Sequence, residues 1–181
     1  EVVPALAECE PARKRVAGPK FQAMLKEVRA TRNVDYVRVA AAKFEILSLL
    51  HASFRARHLN GNTPRGQAFR QFQQIQGEPL RLHAIYDALD GHFRLQGPQY
   101  WGWPSWPDDY RDATSSTVNR FARERAQEVE YFLYLQWLAA EQLRSAQRAA
   151  RERGMSIGLY GDVAVGSNPA GSETWANRHL Y

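Results

Sequence analysis

From Ser115 to Arg153 the chain contains neither glycine nor proline. A run of that length without a breaker is helical, with room for one break near Ala126 that would give two helices. Its later part is apolar nearly all round: Val129, Tyr131, Phe132, Leu133, Tyr134, Leu135, Trp137, Leu138 and Leu143. A helix apolar on every face is expected to lie buried between layers. Gly154 then stands where a helix C-terminus takes a left-handed residue. Immediately after it, Ile157–Gly166 reads IGLYGDVAVG. Ile157, Leu159, Val163 and Val165 alternate there with small residues, and Asp162 follows Tyr160 and Gly161. Helix, tight break, short apolar strand and an acidic residue at its end form the pattern of a βα unit in an α/β enzyme. Polar groups at the C-terminal ends of such strands face ligands. No other stretch reads as a parallel strand. The expected fold class is therefore mainly α, with one strand near the C-terminus, in a chain that is a piece of an enzyme cut soon after that strand.

The upstream chain is helical throughout. Pro4, Pro11 and Gly18-Pro19 break residues 1–32 into short helices. Phe21, Met24, Leu25 and Val28 predict a helix from about Pro19 to Thr31, with Pro19 in its favoured first turn. Asn33 and Asp35 are N-cap candidates for one long helix over Val34–Leu59, which holds no glycine or proline. Asn60-Gly61-Asn62 ends it. Thr63-Pro64 opens a third helix to about Gln76, Gly77 and Pro79 break it, and a fourth runs from Pro79 to about Phe93. No fixed period marks a repeat array.

Between residues 94 and 114 Tyr100, Trp101, Trp103 and Trp106 crowd against Gly102, Pro104 and Pro107. Aromatic faces on a rigid backbone suit stacking on sugar rings, and equally suit a compact turn that plugs a core. Spacing alone favours the structural use. Asp108, Asp109 and Asp112 look like charges at the start of a short helix. Ser167–Gly171 is loop, and Ser172 is a cap candidate for a short turn through Trp175.

The formal charge is +5, and nearly all the basic residues are arginine. They are interleaved with acids, as in Arg123-Glu124-Arg125 and Arg151-Glu152-Arg153, which describes a salt-bridged surface better than a phosphate track. No nucleic-acid partner is expected. No apolar run is long enough to cross a bilayer, so no membrane partner is expected either. The single Cys9 rules out an internal disulfide framework and a cysteine metal cage, and fits a reducing cytoplasm. Glu8 and Glu10 flank it and disfavour a thiolate. His51, His58, His83 and His92 show no spacing of a helical zinc pair. The start at Glu1 fits an excised fragment or a processed product.

Several spaced blocks, in one order along the chain, resemble a known family. YLQWLAAEQL (Tyr134–Leu143), GMSIGLYGDVAVG (Gly154–Gly166) and GSETWANRHLY (Gly171–Tyr181) are similar to the bacterial 4-α-glucanotransferases, the amylomaltases of glycoside hydrolase family 77. WGWPSWP (Trp101–Pro107) and the VDYxxVxxxK start at Val34–Lys43 fit the same pattern. The resemblance implies a helical segment of a (β/α)8 TIM barrel, with residues 1–114 a helical insertion or subdomain and 115–181 a barrel helix–strand segment. It implies transfer of α-1,4-glucan segments between maltooligosaccharides by retaining double displacement, with no cofactor and no metal. The family's catalytic carboxylates belong to later strands, so no catalytic residue is assigned in this chain. Asp162 matches the aspartate of the family's Gly-Asp-x-Pro motif, with Ala164 where many members have proline. Its implied role is a hydrogen bond to a sugar hydroxyl or to an active-site arginine, against the alternative of capping the following turn. Trp175 is the other implied substrate-binding residue, as a wall of the sugar cleft or as packing for its loop. Alone, the chain is expected to lack transferase activity and to self-associate. The alternative function is a helical interaction or nucleic-acid-binding module. A weaker third is a non-catalytic glucan-binding piece using Trp101, Trp103, Trp106 and Trp175.

Overall fold

Breakers set the helix ends much as the sequence predicts. A computed structural model describes residues 4–163 and 165–181, apart from the Pro4 side chain, and separates into two units, one ending at Ala68 and one starting at Phe69. The sequence boundary at 114 lies inside the second unit.

In the first unit α1 (Pro4–Glu8), α2 (Glu10–Ala17) and α3 (Pro19–Ala30) follow one another, and α2 and α3 each carry proline in the first turn. α4 spans Tyr36–Phe54, and the Asp35 carboxylate caps it by accepting from the Arg38 N–H at 3.0 Å. The long helix expected to Leu59 instead changes form. Arg55–Leu59 widens into a π turn, in which Asn60 N–H donates to Arg55 O at 3.0 Å. Polar links fix that turn: Arg57 donates to Glu8 O at 2.6 Å, and the His58 ring lies between Thr63 Oγ1 (2.8 Å) and Glu8 Oε2 (3.0 Å). The His58 hydrogen bond holds the Glu8 carboxyl below its usual range. Cys9 is buried, its thiol against Leu49 O at 3.5 Å, and packs as a small apolar side chain.

The second unit is built on α5 (Pro64–Arg94), whose greater part it contains. The break expected at Gly77 and Pro79 is present as a kink inside this helix, with Gly77 at φ 59°, ψ −144°. Only glycine adopts that conformation without strain. Pro79 stands just past the kink, in the first turn of the second half, where a missing N–H costs little. A 3₁₀ turn follows at Trp103–Ser105, then α6 (Asp108–Arg111), α7 (Ser116–Glu124), α8 (Ala126–Glu152), α9 (Ser172–Ala176) and a last 3₁₀ turn at Arg178–Leu180. The predicted break before Ala126 is real: Arg125 leaves the helical region at φ −109°, ψ 30°. α8 ends in a Schellman motif on Gly154, with Gly154 N–H donating to Arg151 O and Met155 N–H to Ala150 O.

The core is aromatic. Trp106 is fully buried, stacks on Phe93 with centroids 5.3 Å apart, and meets Tyr86 at 5.2 Å and Trp175 at 6.1 Å. Ile85, Leu89, Val118, Phe121 and Val129 fill the rest. Trp106 of the WGWPSWP run thus plugs the core, the use its spacing favoured, with Trp103 partly buried against it and Trp101 58 % exposed. In α8 Val129, Tyr134, Trp137 and Leu138 are buried and Tyr131, Phe132, Leu133 and Leu135 half-buried, as a helix apolar all round requires, whereas Leu143 farther along is 65 % exposed.

The strand expected over Ile157–Gly166 is not formed, and no strand occurs among the described residues. Ala164 lies outside them. The described part of the segment is irregular, and Ile157 (73 %), Tyr160 (89 %) and Val163 (82 %) are exposed. A parallel strand exists only where neighbouring strands pair its peptide groups. Here the partner is one side chain: Gln147 accepts from Leu159 N–H at 2.5 Å and faces Ile157 O at 3.4 Å. No helix of the described residues is long and apolar enough to cross a membrane.

Candidate functional site

The turn of α5 between His83 and Arg94 presents a continuous stripe, because His83, Tyr86, Asp87, Asp90 and Phe93 recur at three- and four-residue steps. This stripe, the WGWPSWP turn and α6 hold the loop that follows the Asp162 segment. Tyr86 O–H donates to Ala170 O. Trp103 Nε1–H donates to Pro169 O and Thr174 Oγ1, both at 3.1 Å. Trp175 Nε1–H donates to Tyr110 O at 2.9 Å. Gly102 allows the close approach, since a Cβ there would meet the Ala170 Cβ at 2.9 Å. Arg178 lies over the Trp103 ring and donates to Arg111 O at 3.2 Å. Inside the loop, Ala170 N–H donates to the Asn168 side chain, and the Thr174 hydroxyl lies within reach of Asn168 O, Pro169 O and Gly171 O.

His83 closes one side of this arrangement. Its Nδ1 is 2.8 Å from Ser172 Oγ, and its Nε2 is 3.0 Å from the Gln136 side-chain amide and 3.4 Å from Asp87 Oδ2. Ser172 therefore does not cap α9, as expected from its position; Gly171 takes that place and the hydroxyl is turned to the imidazole. Burial raises the Asp87 carboxyl above its usual range, opposed by His83 and reinforced by Asp90. Burial also pushes the Tyr86 phenol up to about 12, with Asp90 and Asp87 adding to it. A cleft of about 350 Å³ opens beside His83, bounded by Glu78, Leu82, Ser172, Glu173 and Asn177. A second, of about 620 Å³, lies at the Gly77 kink, with Leu80, Ile85, Val129 and Leu133 at its base and Arg81, Arg123 and Glu130 around it. Among the described residues no group of three or more His, Cys, Asp or Glu side chains could hold a metal ion.

The two sequence-derived site residues lie in different surroundings. Asp162 is exposed on the irregular segment. Trp175 is 1 % exposed and belongs to the aromatic core. Nor do the four tryptophans form one sugar platform: Trp106 and Trp175 are buried, Trp103 is covered by Arg178, and Trp101 alone among them is largely exposed. From the sequence, His83 was weighed only as a zinc ligand and Ser172 only as a cap, and Tyr86 and Gln136 were given no site role. The i, i+4 pair His83–Asp87 was the visible signal; the partners across the fold had none.

Residues 6–181 match the family model of 4-alpha-glucanotransferase, glycoside hydrolase family 77, and the chain belongs to that family. It is 26% identical to the 4-alpha-glucanotransferase of Haemophilus influenzae over 99% of its own length and 26% of that protein's. It is 33% identical to the Mycobacterium tuberculosis enzyme of the same name, over 79% of this chain and 18% of the relative. A Clostridium butyricum 4-alpha-glucanotransferase is 20% identical over 70% of this chain. The chain thus spans about a quarter or less of the length of these relatives.

Proposed function

We propose that this chain is the helical frame, with one strand-forming segment, of a (β/α)8-barrel enzyme that transfers α-1,4-glucan segments between maltooligosaccharides. The observation that carries the reading is the family match across residues 6–181. In the whole barrel, residues 1–114 form the helical subdomain and 115–181 the helix–strand segment, with Ile157–Gly166 paired between neighbouring strands. The exposed Ile157, Tyr160 and Val163 support this, since such side chains are covered in a barrel.

The reaction is a retaining double displacement. One carboxylate attacks the anomeric carbon while a carboxylic acid protonates the departing oxygen; an acceptor sugar hydroxyl then replaces water in the second step. That geometry needs two carboxyl groups about 5 Å apart. The pair is supplied by later strands, so this chain alone is inactive, and the chemistry uses no cofactor or metal. Asp162, at the end of the strand segment, hydrogen-bonds a sugar hydroxyl or an arginine of the site. Trp175 serves the sugar cleft by fixing the loop on which it stands. The lone buried Cys9 fits a cytoplasmic enzyme. Arginines paired with acids, as in Arg125–Glu128 and Arg81–Glu78 (each 2.7 Å), favour a glucan over a nucleic-acid partner.

Glucose release from maltotriose tests the reading. A longer chain continuing past Tyr181 through the barrel is expected to release glucose and build longer maltooligosaccharides, and this chain to do neither. Activity in this chain itself would move the catalytic carboxylates into it. A folded longer chain without activity would reject the transferase reading.

A further inference from the structure

The anchors of the loop after Asp162 are of two kinds. Tyr86, Trp103 and Trp175 reach it from the aromatic core, so their loss damages the core first. His83 has no part in that core. Its side chain is 35 % exposed at the wall of the smaller cleft, and its ring joins three elements: Ser172 of α9 on one nitrogen, Gln136 of α8 and Asp87 of α5 on the other. The bond to Ser172 survives any tautomer of the ring and either orientation of the Gln136 amide, because a hydroxyl both donates and accepts. A link that holds in every protonation state, made by a residue the core does not need, is suited to fixing a loop.

We infer that His83 is a positioning residue, which through Ser172 fixes the loop following Asp162 and so the line along which that carboxylate meets a glucan hydroxyl. This rests on the reading of Asp162 given above. Chemistry near a reacting centre is sensitive to displacements of about 1 Å, so a loosened loop lowers turnover without removing a substrate contact.

Two measurements test it. In this chain, His83→Ala is expected to speed hydrogen exchange at the Trp175 and Asn177 amides, which donate to Gly171 O and Glu173 O, about tenfold, the scale of one lost hydrogen bond. His83→Asn, which restores a donor near the Nδ1 position, is expected to return it to within about twofold. In the longer, active chain His83→Ala should lower kcat on maltotriose about tenfold with KM nearly unchanged, and His83→Asn should recover most of it. Should the alanine variant fail to fold, His83→Phe keeps the ring volume without either nitrogen and gives the same comparison. Unchanged exchange in the loop overturns the inference. Faster exchange with unaltered kcat overturns the step from loop to Asp162 while leaving the transferase reading intact. A longer wild-type chain without transferase activity defeats that reading and the link to Asp162 with it, and the exchange comparison still decides whether His83 holds the loop.

Discussion

Trp106 and Trp175 are both buried, but their indole nitrogens differ. Trp175 donates to Tyr110 O, whereas Trp106 Nε1 is buried with no hydrogen-bond partner among the described residues. Replacing either by phenylalanine removes similar volume; only Trp175→Phe also breaks a hydrogen bond and strands a carbonyl. Trp175→Phe is therefore expected to cost roughly 2–4 kcal/mol and Trp106→Phe roughly 1–2 kcal/mol in urea unfolding. Equal costs would refute the assignment of partners. Tyr86 makes a pH prediction. Its folded pKa is raised from 10.0 to about 12. The folded chain then holds the phenol proton more tightly than the unfolded one, so this stabilisation is complete below pH 10 and lost as pH rises toward 12. Tyr86→Phe should flatten that part of the stability–pH curve.

At the scale of elements, Asp35 and Gly77 carry the sharpest expectations. Asp35→Ala removes the cap of α4 and should cost about 1 kcal/mol. A Cβ at Gly77 would meet nothing within 4 Å, yet the residue sits at φ 59°, ψ −144°. Gly77→Ala is thus expected to destabilise by roughly 1–3 kcal/mol through backbone strain alone, measured by thermal unfolding. These elements were legible in the sequence because their signals are local: proline at helix starts, an aspartate before α4, the glycine after α8. The π turn at Arg55–Leu59 was not, because it depends on Glu8, His58 and Thr63 meeting in space. The His83–Ser172 link was hidden for the same reason, its partners lying far apart along the chain. The aromatic turn stood between: its composition announced aromatic packing, and only the fold shows Trp106 turned inward and Trp101 left outside.

At the scale of the molecule, the Ile157–Gly166 segment marks where local reading stops. Its alternation describes a strand, but a strand is a property of pairs, and among the described residues the Gln147 side-chain amide is what meets its backbone, at Ile157 O and Leu159 N–H. The same exposed aliphatic groups lead us to propose that the chain associates with itself. Light scattering should show a mass rising with concentration, and a monomer at every concentration would count against it. The most direct test is hydrogen exchange at Tyr160, Gly161 and Val163, in this chain and in one continued through the remaining barrel. Near-unprotected amides are expected here, and protection of at least about a hundredfold in the longer chain. Protection already present in this chain, or absent from an active longer one, would contradict that expectation.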